Sequence, residues 1–228
     1  MPRRAPATKP DAIEFLGMIS RPKVDVYVGP TEKHYNLPKL LLCHYSDFFD
    51  TCFNGGFMET STQKLYLPDD NIDDFEILLE FMLRGTTPGN IKLTETGGAA
   101  VRRCIDFVKY ADQYNIPEAA EVVYEPLKEA LKFQYKDGKP TKMTAKLGKR
   151  IPRIAPSDVE LIFRVMPAGS KLRTLAAQGA LSYHGMQAGF EKQEREVDGF
   201  AAEMLLQIRA SIKSEFRWTD PISGAERK

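Results

Sequence analysis

The chain has 228 residues, 43% of them hydrophobic and 28% charged, with a formal net charge of +1. That supplies apolar material for a core and excludes a bulk polycation or a chain kept unfolded by its own charge. Three cysteines with no C-x-x-C pair argue against a disulfide scaffold and for a reducing compartment, the cytoplasm or nucleus.

The opening MPRRAPATKPDAIEF is basic but lacks the apolar run of a signal peptide, and no stretch approaches the roughly 20 apolar residues of a membrane helix. Residues 1 to about 10 read as a disordered tail. Asp11 with Glu14 forms a capping-box pattern opening a short helix around Ile13, Phe15 and Leu16. VDVYVG alternates, with Val24, Val26 and Val28 on one face and Asp25 and Tyr27 on the other. Gly29-Pro30 turns the chain and KHYNL returns as a second strand. Pro38 suits a first helical turn. Leu41, Leu42, Tyr45, Phe48, Phe49 and Phe53 then recur at helical spacing, as two short helices or one broken helix, with Ser46 as candidate cap of the second.

FNGGFMETST, residues 53 to 62, reads as a loop, and an odd one, because Phe57 and Met58 sit in it beside Glu59. KLYLPDD is a third strand ended by Pro68, and the aspartates from Asp69 to Asp74 read as caps of the next helix. Ile72, Phe75, Leu78, Leu79 and Met82 form its apolar stripe, closed by Arg84-Gly85. Thr86 to Gly98 is a loop. Ala99 to Tyr110 is a helix with Val101, Ile105 and Val108 inward. A further helix after Pro117 carries Val122, Val123, Leu127, Ala130 and Leu131, and Pro126 predicts a kink or break in it.

Composition shifts at Tyr135. YKDGKPTKMTAKLGKRIPRIAP holds seven Lys/Arg, one Asp and three prolines, the make-up of a linker. Beyond it Ser157 and Glu160 suggest a capping box, and Ser170 caps a helix bearing Leu172, Leu175, Ala176 and Leu181. GMQAGFEKQERE reads as a charged loop. Phe200, Met204, Leu205, Ile208 and Ile212 mark a last amphipathic helix. The boundaries are 1–20 tail, 21–134 first domain, 135–156 basic linker, 157–218 helical region and 219–228 tail.

No pattern for chemistry stands out. His34, His44 and His184 have no metal-ligand spacing with each other or with Cys43, Cys52 and Cys104. There is no phosphate loop, no dinucleotide fingerprint and no nucleophile elbow. The aspartate run lacks the calcium-loop arrangement. No metal, cofactor or catalytic residue is expected, and the thiols read as buried.

The ordered set VDVYVG, YNLPKLLLCHYSDFFDTCF, GGFMET, LYLPDDNIDDFEILLEFMLRG and FVKYADQYNI resembles a BTB/POZ domain, with Leu42, Ser46 and Phe49 as its Leu-x3-Ser-x2-Phe core. IPRIAPSDVELIFRVMPAGSKLR is similar to the extension of many BTB proteins of filamentous fungi. The resemblance implies an α+β fold, a small mixed sheet flanked by helices, with an all-helical C-terminal extension. It implies protein partners and no reaction centre: self-association into a homodimer, in which the segment Asp11 to Ser20 could exchange, and docking of a cullin scaffold as a ubiquitin-ligase adaptor. Phe57, Met58 and Glu59 match the apolar-x-Glu docking signature of cullin-binding members. Asp25 and Lys39 correspond to a buried charged pair near the dimer centre of some members, although Pro38 stands where the family often has histidine. Alternatively Asp25 caps or faces solvent and Lys39 snorkels. A transcriptional or chromatin cofactor, using self-association and the basic linker Lys136 to Arg153, is the other reading. No membrane partner is expected, and nucleic acid is the lesser partner class.

Overall fold

The computed structural model describes residues 7–86, 98–131, 135–136, 139–140, 154–182, 189–211, 218–219 and 226–227. It divides into two compact units, Met1–Gln134 and Tyr135–Lys228.

In the first unit, helix α1 (Ala12–Ile19) opens on a capping box: Asp11 accepts from the Ile13 and Glu14 amides, and Glu14 reaches back to the Asp11 N–H. Residues 7–10, which the sequence suggests belong to a loose tail, are tied down instead. The Ala7 amide donates to Glu118, and His44 Nε2 lies 2.9 Å from the Thr8 carbonyl. Strand β1 (Lys23–Val28) pairs antiparallel with β2 (Lys33–Pro38) and parallel with β3 (Lys64–Leu67), in the order β2-β1-β3. Val24, Val26, Val28, Leu65 and Leu67 are buried on one face, as alternation requires. Asp25, Tyr27, His34, Asn36, Lys64 and Tyr66 take the other.

The segment after Pro38 is two helices, α2 (Lys39–Tyr45) and α3 (Asp47–Asn54), broken at an extended Ser46. The fully buried Ser46 hydroxyl accepts the Phe49 N–H at 3.2 Å and donates to the Tyr114 carbonyl at 2.6 Å. One residue thus caps α3 and braces it to a distant helix. Phe49 is buried with its ring stacked on Tyr114 at 5.2 Å, nearly parallel.

Helix α4 (Met58–Thr62) occupies the stretch expected to be loop. Helix α5 (Ile72–Arg84) buries Phe75, Leu78, Leu79, Phe81 and Met82. Its cap is Asn71, whose side chain accepts from the Asp73 and Asp74 amides, and not the aspartates. Asp70 accepts hydrogen bonds from the hydroxyls of both Tyr110 and Tyr114. That joins the β3–α5 turn to α6 (Gly98–Gln113), whose Val101, Cys104, Ile105, Val108 and Ala111 face inward. Burial lifts the Cys104 thiol to about 12, so it behaves as an inert apolar group. The last helical stretch is broken as expected, but at Val123. Helix α7 (Ala119–Val122) ends there, and Pro126 falls in the first turn of α8 (Tyr124–Leu131), where proline is tolerated.

The second unit is mainly helical: α9 (Pro156–Val165), α10 (Lys171–Ser182), α11 (Glu191–Glu196) and α12 (Phe200–Ser211). Short strand pairs join Tyr135–Lys136 to Lys139–Pro140 and Trp218–Thr219 to Glu226–Arg227. Helix α9 starts earlier than the Ser157–Glu160 pattern suggests. Pro156 takes the first turn, and Asp158 returns to the Ala155 N–H at 2.8 Å. Helix α11 lies within the segment whose composition suggests a charged loop. Ser170 accepts from the Leu172 amide, as a cap should. Phe163, Phe190 and Phe200 cluster, with the Arg173 guanidinium 4.9 Å from the Phe163 ring centre. Thr174 Oγ1 donates to Glu203 and the side chains of Gln178 and Gln207 bond, linking α10 to α12. Most of the basic linker, residues 87–97 of the loop ahead of α6 and His184 lie outside the described residues.

Candidate functional site

The α3–α4–β3 corner is built to display apolar side chains. Helix α3 ends at Gly55, where a Cβ would come within 2.3 Å of the Thr51 carbonyl oxygen, so glycine is required. Gly56 follows at φ +85° and turns the chain. Phe57 is extended and begins α4 without a side-chain cap.

The small polar residues after it hold this five-residue helix in place. Thr60 Oγ1 accepts the Gly56 N–H at 3.0 Å and donates to the Cys52 carbonyl at 3.1 Å, riveting α4 to the end of α3. Ser61 and Thr62 hydroxyls both donate to the Met58 carbonyl. Gln63 closes the turn in a left-handed conformation, with its side chain on the Thr60 carbonyl at 2.6 Å. So short a helix is marginal alone, and this bracing substitutes for length.

On that platform Phe57 is 59% and Met58 76% exposed. Phe57 does not fold back as a lid on its own core. Glu59 is half-buried between this edge and Cys52, whose thiol is raised first by burial and then by the Glu59 charge. Among the described residues the Glu59 carboxylate has no hydrogen-bonding or ion-pairing partner.

The other expected site residues are separate. Asp25 lies half-exposed on the outer face of the sheet. Its Oδ1 accepts from Asn36 Nδ2 at 2.9 Å and lies 2.8 Å from His34 Nε2. The Asn36 bond first, then the His34 bond, hold its carboxyl below the ordinary range. Lys39 opens α2 and donates to the Phe53 carbonyl at 3.0 Å, where an ammonium complements the end of α3. Within one chain, Asp25 and Lys39 form no ion pair with each other.

A second apolar surface is only partly visible in the sequence. Helix α1 packs on α2 yet buries none of its residues, leaving Ile13 81% and Leu16 57% exposed. Sequence periodicity yields the helix but not which side remains open. In the second unit, Leu205 and Leu206 on α12 are also exposed, although the apolar pattern places Leu205 inward.

Among the described residues no three His, Cys, Asp or Glu side chains converge as metal ligands, and no helix is long and apolar enough to cross a membrane. No curated protein matches the chain. Compared with known domain families, residues 20–131 match the family described as BTB/POZ domain, a family of protein-interaction modules. The broken α2–α3 pair around Ser46, the mixed β2-β1-β3 sheet and the match agree: residues 20–131 of this chain form a BTB/POZ domain.

Proposed function

We propose that the protein is a non-enzymatic adaptor that docks a cullin scaffold through Phe57, Met58 and Glu59 and self-associates through α1. One observation carries the docking reading: two large apolar side chains project into solvent from a helix whose own polar residues are spent on fixing it. Fixed, exposed anchors of this kind concentrate binding energy, and an unpartnered carboxylate beside them sets register.

The test is retention of a purified cullin scaffold by the tagged chain. Glu59→Lys, and separately Phe57→Ala with Met58→Ala, should weaken capture by about 30-fold or more, the effect of losing a hot spot. Thermal unfolding should stay near wild type, because these side chains leave no core vacancy. Equal capture by variant and wild type, or none by wild type, refutes docking.

Self-association rests on the open side of α1. Water-exposed isoleucine and leucine on a helix already packed against α2 suit burial by a second copy. Light scattering at two concentrations should report a dimer for wild type and a monomer for Leu16→Glu with Ile13→Glu. A monomer in both would leave a docking domain that works singly.

A further inference from the structure

Among the described residues the sheet has an open edge at β3, and its chemistry specifies what would fit. In the parallel pairing with β1, the Asp25 amide donates to the Gln63 carbonyl at 3.0 Å and the Gly29 amide to the Leu67 carbonyl at 2.9 Å. Parallel geometry makes alternate residues of a strand face the same neighbour. Gln63, Leu65 and Leu67 therefore serve β1, and Lys64 and Tyr66 present their N–H and C=O groups to the opposite side. Among the described residues the Tyr66 backbone groups have no hydrogen-bond partner, and Lys64 N–H has only a long contact of 3.4 Å to Thr62 Oγ1.

The side chains above that edge are also unfinished. His34, Tyr27 and Tyr66 form one row of rings across β2, β1 and β3, with centroids 4.9 Å and 4.7 Å apart. The row ends at Tyr66, which is 54% exposed. Lys64, two residues away on the same face, is exposed. Among the described residues it makes no ion pair, not even with Asp25 across the strand.

We propose that the β3 edge accepts an extended segment of a partner protein as a fourth strand, with an acidic residue opposite Lys64 and an aromatic residue two positions away opposite Tyr66. The backbone supplies the pairing. The aromatic residue continues the ring row, and the acidic one answers the lysine. A second copy of this chain fits less well. The register that sets Tyr66 against its counterpart sets Lys64 against Pro68, which has no N–H to give the Lys64 carbonyl. A lysine on a four-residue edge also rejects basic and purely apolar strands, a common protection against indiscriminate pairing. This proposal does not depend on cullin docking by α4.

The experiment is selection of random short peptides displayed on phage against the full chain, followed by amide hydrogen exchange with the synthetic consensus peptide. Enriched sequences should carry an acidic residue two positions from an aromatic one, and exchange at Lys64 and Tyr66 should slow when the peptide binds. Tyr66→Ala should weaken binding about fivefold, the size of one cross-strand pair. Lys64→Glu should shift selection to basic residues, and Glu59→Lys should change nothing. N-methylation of alternate peptide amides should abolish binding. The proposal is overturned by the absence of any enriched pattern, by unaltered binding to Tyr66→Ala and Lys64→Glu, or by protection falling on α4 alone. Slowing that follows protein concentration without peptide also overturns it, because the occupant is then a second copy.

Discussion

Phe49→Ala is expected to cost about 3–5 kcal/mol of folding stability, enough to unfold much of a marginally stable domain. The ring is fully buried, stacked on Tyr114 and edge-on to Phe48 at 5.4 Å. Its backbone N–H is held by Ser46, so the helix start cannot slide to close the cavity. Urea unfolding of wild type and variant measures the loss as a shift in midpoint at constant slope. Phe48→Ala is the control. Phe48 is half-buried, and its loss should cost clearly less than that of Phe49. A Phe49→Ala loss below about 1 kcal/mol would mean that the site collapses around the vacancy. The effect should reach the docking corner too, because α3 carries Gly55 and the Cys52 carbonyl on which α4 is fastened.

Elements with a strong period are legible in the amino-acid sequence. The valines of β1 can point only one way without stranding apolar surface in water, and the α5 stripe leaves one stable orientation. The Asp11 capping box is local chemistry, complete within four residues. Helix α4 is not legible, because five residues show no period and its supports are hydroxyls answering backbone groups up to eight residues away. Helix α11 is hidden for a related reason: its run of charges masks a single inward residue, Gln193, which bonds Glu160 at 2.7 Å. The aspartates before α5 are interchangeable as letters. Only the fold decides that Asn71 caps the helix and Asp70 turns toward two tyrosines.

The candidate site divides the same way. Phe57, Met58 and Glu59 stand out because apolar residues in a polar stretch demand a reason. The β3 edge cannot stand out, since an open edge depends on what does not pair with it. For Asp25 and Lys39 a resemblance supplies the positions, and the fold alone supplies their partners within one chain. Each has a sufficient partner in its own chain, Asp25 on the outer sheet and Lys39 at the end of α3.

Asp70→Ala should lose about 2–4 kcal/mol, because two buried hydroxyls lose their acceptor together. Tyr110 and Tyr114 are buried, and both donate to Asp70 Oδ2. Tyr114 is also the residue whose ring stacks on Phe49 and whose carbonyl receives Ser46, so one side chain links the β3–α5 turn, α6 and α3. A double-mutant cycle separates an orphaned hydroxyl from a simple loss of packing. Adding Tyr114→Phe to Asp70→Ala removes one of the two orphaned hydroxyls, so the double variant should be more stable than the sum of the singles by about 1–2 kcal/mol. Additive losses would deny the coupling. The pH dependence gives an independent check. Burial first, and then the bond to Asp70, raise both phenols above the ordinary 10.0. The fold therefore favours their neutral form. That contribution is complete below the unfolded value, and stability must fall as pH climbs past about 10. Asp70→Ala removes one cause of the shift and leaves burial, so the Tyr110 and Tyr114 phenols should ionise at lower pH than in wild type, read from phenolate absorbance. Ionisation at the same pH in both proteins would assign the whole shift to burial.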